Sequence, residues 1–137
     1  LGVVFEIVLF MSMRRLLKYL SLRSLLIWSL LLSVLRWWLI GHYVTVEFII
    51  IGAQFLHAAT FGGTHIAAMH LIYHYFGEAH QGKGQAIYTS LSFGLGGALG
   101  SLYAGYAWET QSPEFVFSMA AISCAIGFLL AYIWVKD

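Results

Sequence analysis

Lysine and arginine occur seven times in this chain, and where they stand limits what it can fold into. Arg14, Arg15, Lys18 and Arg23 form one cluster, Lys83 and Lys136 border long apolar runs, and only Arg36 falls inside one. The runs between these cations are bilayer-sized. A helix rises ~1.5 Å per residue and the hydrocarbon core is ~30 Å thick, so ~20 apolar residues cross it. With 61% hydrophobic and 9% charged residues, the chain has too little charge for a water-soluble domain, where about a quarter of residues are charged. An all-α integral membrane protein is the expectation.

Five helices are predicted, over about residues 1–13, 24–42, 46–76, 83–108 and 113–135. The first is apolar apart from Glu6 and spans only about 20 Å. That length predicts that residue 1 lies within the bilayer and that the chain is part of a longer polypeptide. Thr45 is the predicted N-cap of the third helix, with Glu47 in the first turn, where a carboxylate suits the helix dipole. Gly77 is its predicted stop. Ser112 followed by Pro113 reads as a cap and a first helical residue. Cys124, the single cysteine, excludes an internal disulfide and reads as a small packing residue.

Short connections make neighbouring helices antiparallel. Residues 14–23, 77–83 and the C-terminus then share one side of the membrane. That side holds every lysine and arginine except Arg36, while the loops around 42–47 and 109–114 hold none. The positive-inside rule places the basic side, including the C-terminus, in the cytoplasm. Trp37, Trp38, Tyr43, Trp108 and Trp134 stand near the predicted boundaries, as an aromatic belt does.

Polar groups at membrane depth are expensive and usually face a cavity or a partner. Glu6 falls ~12 Å from Arg14 along its helix, near mid-membrane, where the protonated state is cheaper. It reads either as a proton-carrying carboxylate or as a hydrogen bond to a neighbouring helix. Arg36 lies ~9 Å from the outer end of its helix. Two readings stand for it: snorkelling to the interface, or a planar clamp on a substrate anion. Ser29, Ser33 and Arg36 share a face, which favours lining of a cavity.

On the third helix Gln54, His57, Phe61 and His65 fall within an arc of ~80°. An amide, imidazoles and an aromatic ring on one stripe make a wall for an organic ligand. The alternative is hydrogen-bond glue between helices. His70 and His74 stand four apart, as metal ligands on a helix can, but near His80 and a predicted boundary they read as solvated histidines. Gly96-x3-Gly100 and Gly97-x3-Ser101-x3-Gly105 are small-residue patterns for close helix approach. Gln85, Tyr88 and Ser92 share a face that can line an inner vestibule. No nucleotide loop, nucleophile triad or nucleic-acid-binding surface is present, and the glycine run does not follow a strand.

The string Gln54-Phe-Leu-His57-Ala-Ala-Thr60-Phe61-Gly-Gly-Thr-His65 resembles the tenth helix of the phenylpropionate-permease-like branch of the major facilitator superfamily. Gln85-Ala-Ile-Tyr88 with the glycine run resembles its eleventh, Phe5-Glu6-Ile its eighth and Leu35-Arg36-Trp37 its ninth. The resemblance implies a twelve-helix transporter in two halves. This chain would be a five-helix fragment (residues 1–137) of the C-terminal six-helix bundle, helices eight to twelve, completed by the missing N-terminal half of the same polypeptide. It implies alternating-access, proton-coupled uptake in a bacterial inner membrane.

Sugar–proton symporters of related branches place a Glu, an Arg and a His in helices eight, nine and ten. That pattern implies proton coupling by Glu6 and His57, and substrate binding by Arg36, Gln54, His57, Phe61 and His65. The carboxylate usual one turn beyond the tenth-helix His is replaced here by Thr60 and Phe61, which shifts the coupling toward Glu6. The expected partners are a small organic solute (aromatic acid, sugar or nucleoside) and the lipid bilayer, with no nucleic acid. A proton is the coupling ion, and neither a further cofactor, a metal nor catalysis is expected. Two rivals stand beside this reading: a non-transporting membrane subunit that packs through small-residue helix faces, and a histidine-metal membrane enzyme.

Overall fold

The computed structural model describes residue 11 and residues 21–136. Glu6, Arg14, Arg15, Lys18 and the helix expected over 1–13 lie outside the described residues. The described chain is helical throughout, without strands. Helix α1 spans Leu22–His42, α2 spans Glu47–Thr89, a π-helical turn covers Ser90–Leu95, α3 spans Gly96–Thr110 and α4 spans Pro113–Trp134. Among the described residues, α1 and α4 are long and apolar enough to cross a membrane.

Local chemistry sets the ends. The Ser21 hydroxyl accepts from the Ser24 N–H at the start of α1, and the Ser112 hydroxyl accepts from Phe115 N–H at the start of α4, with Pro113 in the first turn. Both satisfy a helix donor that would otherwise lack a partner. Thr45 does not cap α2. The chain turns at Tyr43–Val46, with Val46 N–H bonded to the Tyr43 carbonyl, and Val46 occupies the cap position without a side-chain bond.

Helix α2 is two limbs joined at Gly77, whose φ of 68° and ψ of 173° interrupt the helix. Residues with a Cβ avoid that region, which is why a glycine stands there. The second limb starts directly after Gly77 rather than at Lys83. Facing pairs show how the limbs lie. Gly84 abuts Ile72 and Phe76, Tyr88 faces His65, and Phe93 faces Phe61. One number rises as the other falls, so the limbs run antiparallel.

The same pattern orients the rest. Arg23 reaches Val135, Gly127 faces Leu30 and Gly41 abuts Phe117, so α1 and α4 are antiparallel. Arg36 meets His57 and Ser29 meets Gly63, so α1 and the first limb of α2 are antiparallel too. Helix α1 is thus the centre, with α2 and α4 on either side. The α1–α2 seam is made of small residues: Ser29 and Ser33 on one helix, and Ala53, Thr60, Gly63 and Ala67 on the other, all buried. A Cβ at Gly63 would collide with the Ser29 hydroxyl.

Two expectations change here. Ser29 and Ser33 are seam residues, and Ser33 returns its hydroxyl to the Ser29 carbonyl at 2.8 Å, so the pair lines no cavity. Among the described residues the close helix approach is built on Gly63, and the α3 glycines at 97, 100 and 105 meet no other helix. Positions 97, 100 and 105 have nothing within 4 Å of an added Cβ among the described residues. Helix α3 touches α4 beside their shared turn, where Trp108 meets Phe117 edge-on.

Candidate functional site

The face of α2 next to the small-residue seam carries larger and more polar side chains. His57, Phe61 and His65 lie one turn apart, and their rings stack in sequence. The His57–Phe61 centroids are 5.7 Å apart at 18°, and Phe61–His65 are 6.2 Å apart at 9°. The folded-back limb adds two rings. Tyr88 lies 6.3 Å from His65, and Phe93 stands edge-on to both Phe61 and Tyr88. The result is a five-ring ladder held by three turns of helix. Gln54 continues the stripe one turn before His57 and is half-buried.

Arg36 enters from α1. Its guanidinium Nη1 donates to His57 Nδ1, and its Cζ lies 4.2 Å from the centre of the Trp37 ring. Trp37 in turn stacks on Phe117 of α4. Arginine keeps its protons throughout the accessible pH range, so in this contact it is the donor and Nδ1 the acceptor. An imidazole accepting at Nδ1 is neutral and carries its hydrogen on Nε2. The guanidinium is therefore directed across the seam to α2, not along its own helix to the outer interface.

Two nitrogens of this assembly are buried without a hydrogen-bond partner among the described residues: Arg36 Nε and His65 Nδ1. Each belongs to a residue whose other contacts are well defined, and they sit near opposite ends of the ladder. A buried unpaired polar group costs about 1–3 kcal/mol, so such atoms call for a ligand, a water or a further side chain. Thr60 is only 1% exposed and gives its hydroxyl to the His57 carbonyl at 3.2 Å. Thr64 does the same to the Thr60 carbonyl at 2.6 Å.

Of the residues singled out in the sequence, the structure brings Arg36, His57, Phe61 and His65 together and sets Gln54 beside them. Glu6 is outside the described residues. His70 and His74 stand apart, toward the Gly77 bend, and no group of three or more metal-ligating side chains exists among the described residues. Sequence reasoning missed Trp37 as the flat support of the guanidinium, and it missed Phe93. In a regular α-helix Tyr88 and Phe93 diverge by ~140°. The π turn between them brings both rings to one side, at 5.9 Å. Such turns are frequent at functional sites, but their only signal here is the run of glycine and serine around them.

No curated protein and no solved structure matches the chain. Residues 1–119 match the profile of the MFS_1 like family. That match covers most of the sequence, includes every residue of the ladder and agrees with an all-helical fold carrying bilayer-length helices. The chain belongs to the MFS_1 like family and is a major-facilitator-type, multi-pass membrane transport protein.

Proposed function

We propose that the chain forms helices eight to twelve of a proton-coupled symporter for a small organic solute, working by alternating access in a bacterial inner membrane with the C-terminus in the cytoplasm. The observation that carries the reading is the Arg36–His57 contact at one end of a stacked ring ladder, with a buried unpartnered nitrogen near each end. A solute with hydrogen-bonding edges and a flat face satisfies both features: its polar groups meet Arg36, Gln54, His57 and His65, and its face lies on Phe61. Aromatic acids, sugars and nucleosides all have that character. Binding then falls near mid-membrane, at the interface with the other half of the transporter.

The proton has two candidate carriers, Glu6 and His57. His57 accepts from Arg36 only while neutral, so a proton on Nδ1 breaks that bond and sets two cations side by side. Glu6 is the carboxylate that the family resemblance supplies. The test is uptake by the full-length protein in membrane vesicles with an imposed proton gradient. Glu6→Gln is expected to abolish proton-driven accumulation and to preserve solute exchange. Full accumulation by this variant would remove Glu6 from the mechanism, and absence of uptake of any of these solute classes by the parent would remove the transport reading.

A second reading has its own observation. The Gly97, Gly100 and Gly105 face of α3 is uncovered among the described residues, as suits a non-transporting subunit that packs on a partner through small residues. That reading needs no polar ladder, and uptake by the parent protein decides against it.

A further inference from the structure

The first turn of α1, the end of the first limb of α2 and the end of α4 meet around a cavity of about 360 Å3, at the opposite end of α1 from Gly41. Its polar lining is Arg23 from α1, His70, Tyr73 and His74 from α2, and Lys136 just beyond α4. These side chains come from three separate stretches of sequence, and their charge has one sign. Among the described residues no carboxylate lines the cavity. Glu78, outside the lining, accepts the Tyr73 hydroxyl at 2.8 Å. Arg23 is fixed in place: Nε donates to the Val135 carbonyl at 2.7 Å, Nη2 to the Tyr132 carbonyl at 3.1 Å, and the guanidinium lies over the Tyr132 ring. Its Nη1 makes no hydrogen bond among the described residues.

This company is wrong for a metal ion, which an arginine and a lysine would repel, and His70 and His74 gain no third ligand among the described residues. It is right for an anion. A preset guanidinium supplies directional donors, Lys136 a mobile charge, and two imidazoles further donors when protonated. Basic pockets between membrane helices on the cytoplasmic side receive phosphorylated headgroups, and this one lies at the shared end of α1 and α4, the two described helices long and apolar enough to cross a membrane.

We propose that the Arg23–His70–His74–Lys136 pocket binds a phosphate-bearing anion, presented either by an anionic phospholipid or by a soluble phosphate. The site is separate from the Arg36–His57 ladder and does not depend on what the protein transports.

The test uses the full-length protein, purified and exchanged into an equimolar mixture of phosphatidylglycerol and phosphatidylcholine. Retained lipid is read by native mass spectrometry, and thermal unfolding is followed with and without inorganic phosphate. The variants are K136Q, an exposed position whose loss leaves the Arg23 bonds to α4 in place, and the double variant H70Q/H74Q. K136Q is expected to cut the excess of phosphatidylglycerol about fivefold. H70Q/H74Q is expected to lower that excess less than K136Q does, because it removes imidazole donors and leaves the fixed charges in place. Retention that survives excess inorganic phosphate assigns the site to the lipid. Displacement by phosphate, with phosphate alone stabilising the parent but not K136Q, assigns it to the soluble anion. Equal lipid selectivity and equal phosphate response in the parent and in both variants overturns the proposal.

Discussion

Arg36 engages two neighbours at once, donating to His57 and lying over the Trp37 ring, while its own Nε stays buried. Lysine keeps the charge but has neither the plane nor the fork. Arg36→Lys is therefore expected to lower solute uptake about 10–100-fold, the equivalent of one charge-assisted hydrogen bond, while the amount of protein in the membrane stays unchanged; uptake normalised to immunoblot measures it. His57→Gln separates contact from titration. Its amide oxygen still accepts from Arg36, but the side chain no longer takes up a proton. Uptake by this variant is expected to lose the part of its pH dependence that His57 contributes, with solute affinity altered less than in Arg36→Lys. A pH profile of initial rates against the parent checks this. The stripe from Gln54 to His65 was legible in the sequence because one-turn spacing alone puts those residues on a common face. The Arg36–His57 contact was not. Counting helix rise places Arg36 level with Gln54, whereas the Ser29–Gly63 contact sets a register that puts Arg36 opposite His57. Phe93 was hidden for a different reason: regular helical spacing turns it away from Tyr88.

At the scale of the elements, the three kinds of glycine in this chain carry different consequences. Gly63 is a contact glycine, with Ser29 where its side chain would be. Gly63→Ala is expected to cost about 1–3 kcal/mol by forcing α1 and α2 apart, seen as a lower denaturant midpoint in detergent. Gly77 is a conformational glycine with φ 68° and open space around it. Gly77→Ala costs ~1–2 kcal/mol through the backbone alone, read in the same titration. Gly97 meets neither constraint among the described residues, so Gly97→Ala is expected to stabilise this chain by up to ~1 kcal/mol through helix propensity. Sequence reasoning handled these elements unevenly. Ser112-Pro113 and Gly77 announce themselves through local chemistry, and the structure has a cap and a break there. The α1–α2 seam was not anticipated because α3 shows the denser glycine pattern. Which face another helix covers depends on the order of packing, and α1 takes the α2 face. Thr45 has the right side chain for a cap but stands inside the Tyr43–Val46 turn, two residues before α2 begins.

Across the whole molecule, the distant ends of the described sequence are tied together. Arg23 and the Tyr132–Val135 carbonyls are separated by more than a hundred residues, yet their two hydrogen bonds close α1 onto α4. Arg23→Gln is expected to destabilise by about 1–3 kcal/mol and to loosen the last turn of α4 specifically. A spin label at Lys136 would report that local motion before any global unfolding. The turn at Ser90–Leu95 has an equally wide reach. A π turn holds one more amino acid than the α turn it replaces, so it acts as a built-in spare. Removing a single residue from it restores ordinary winding and leaves everything downstream in nearly its present orientation, whereas a deletion from the regular helix beside it swings the remainder by ~100°. In a helix shortened within the turn, Tyr88 and Phe93 would stand four positions apart and still share a face. Six residues thus make the one stretch of this rod where a lost amino acid would leave the two flanking pieces aligned.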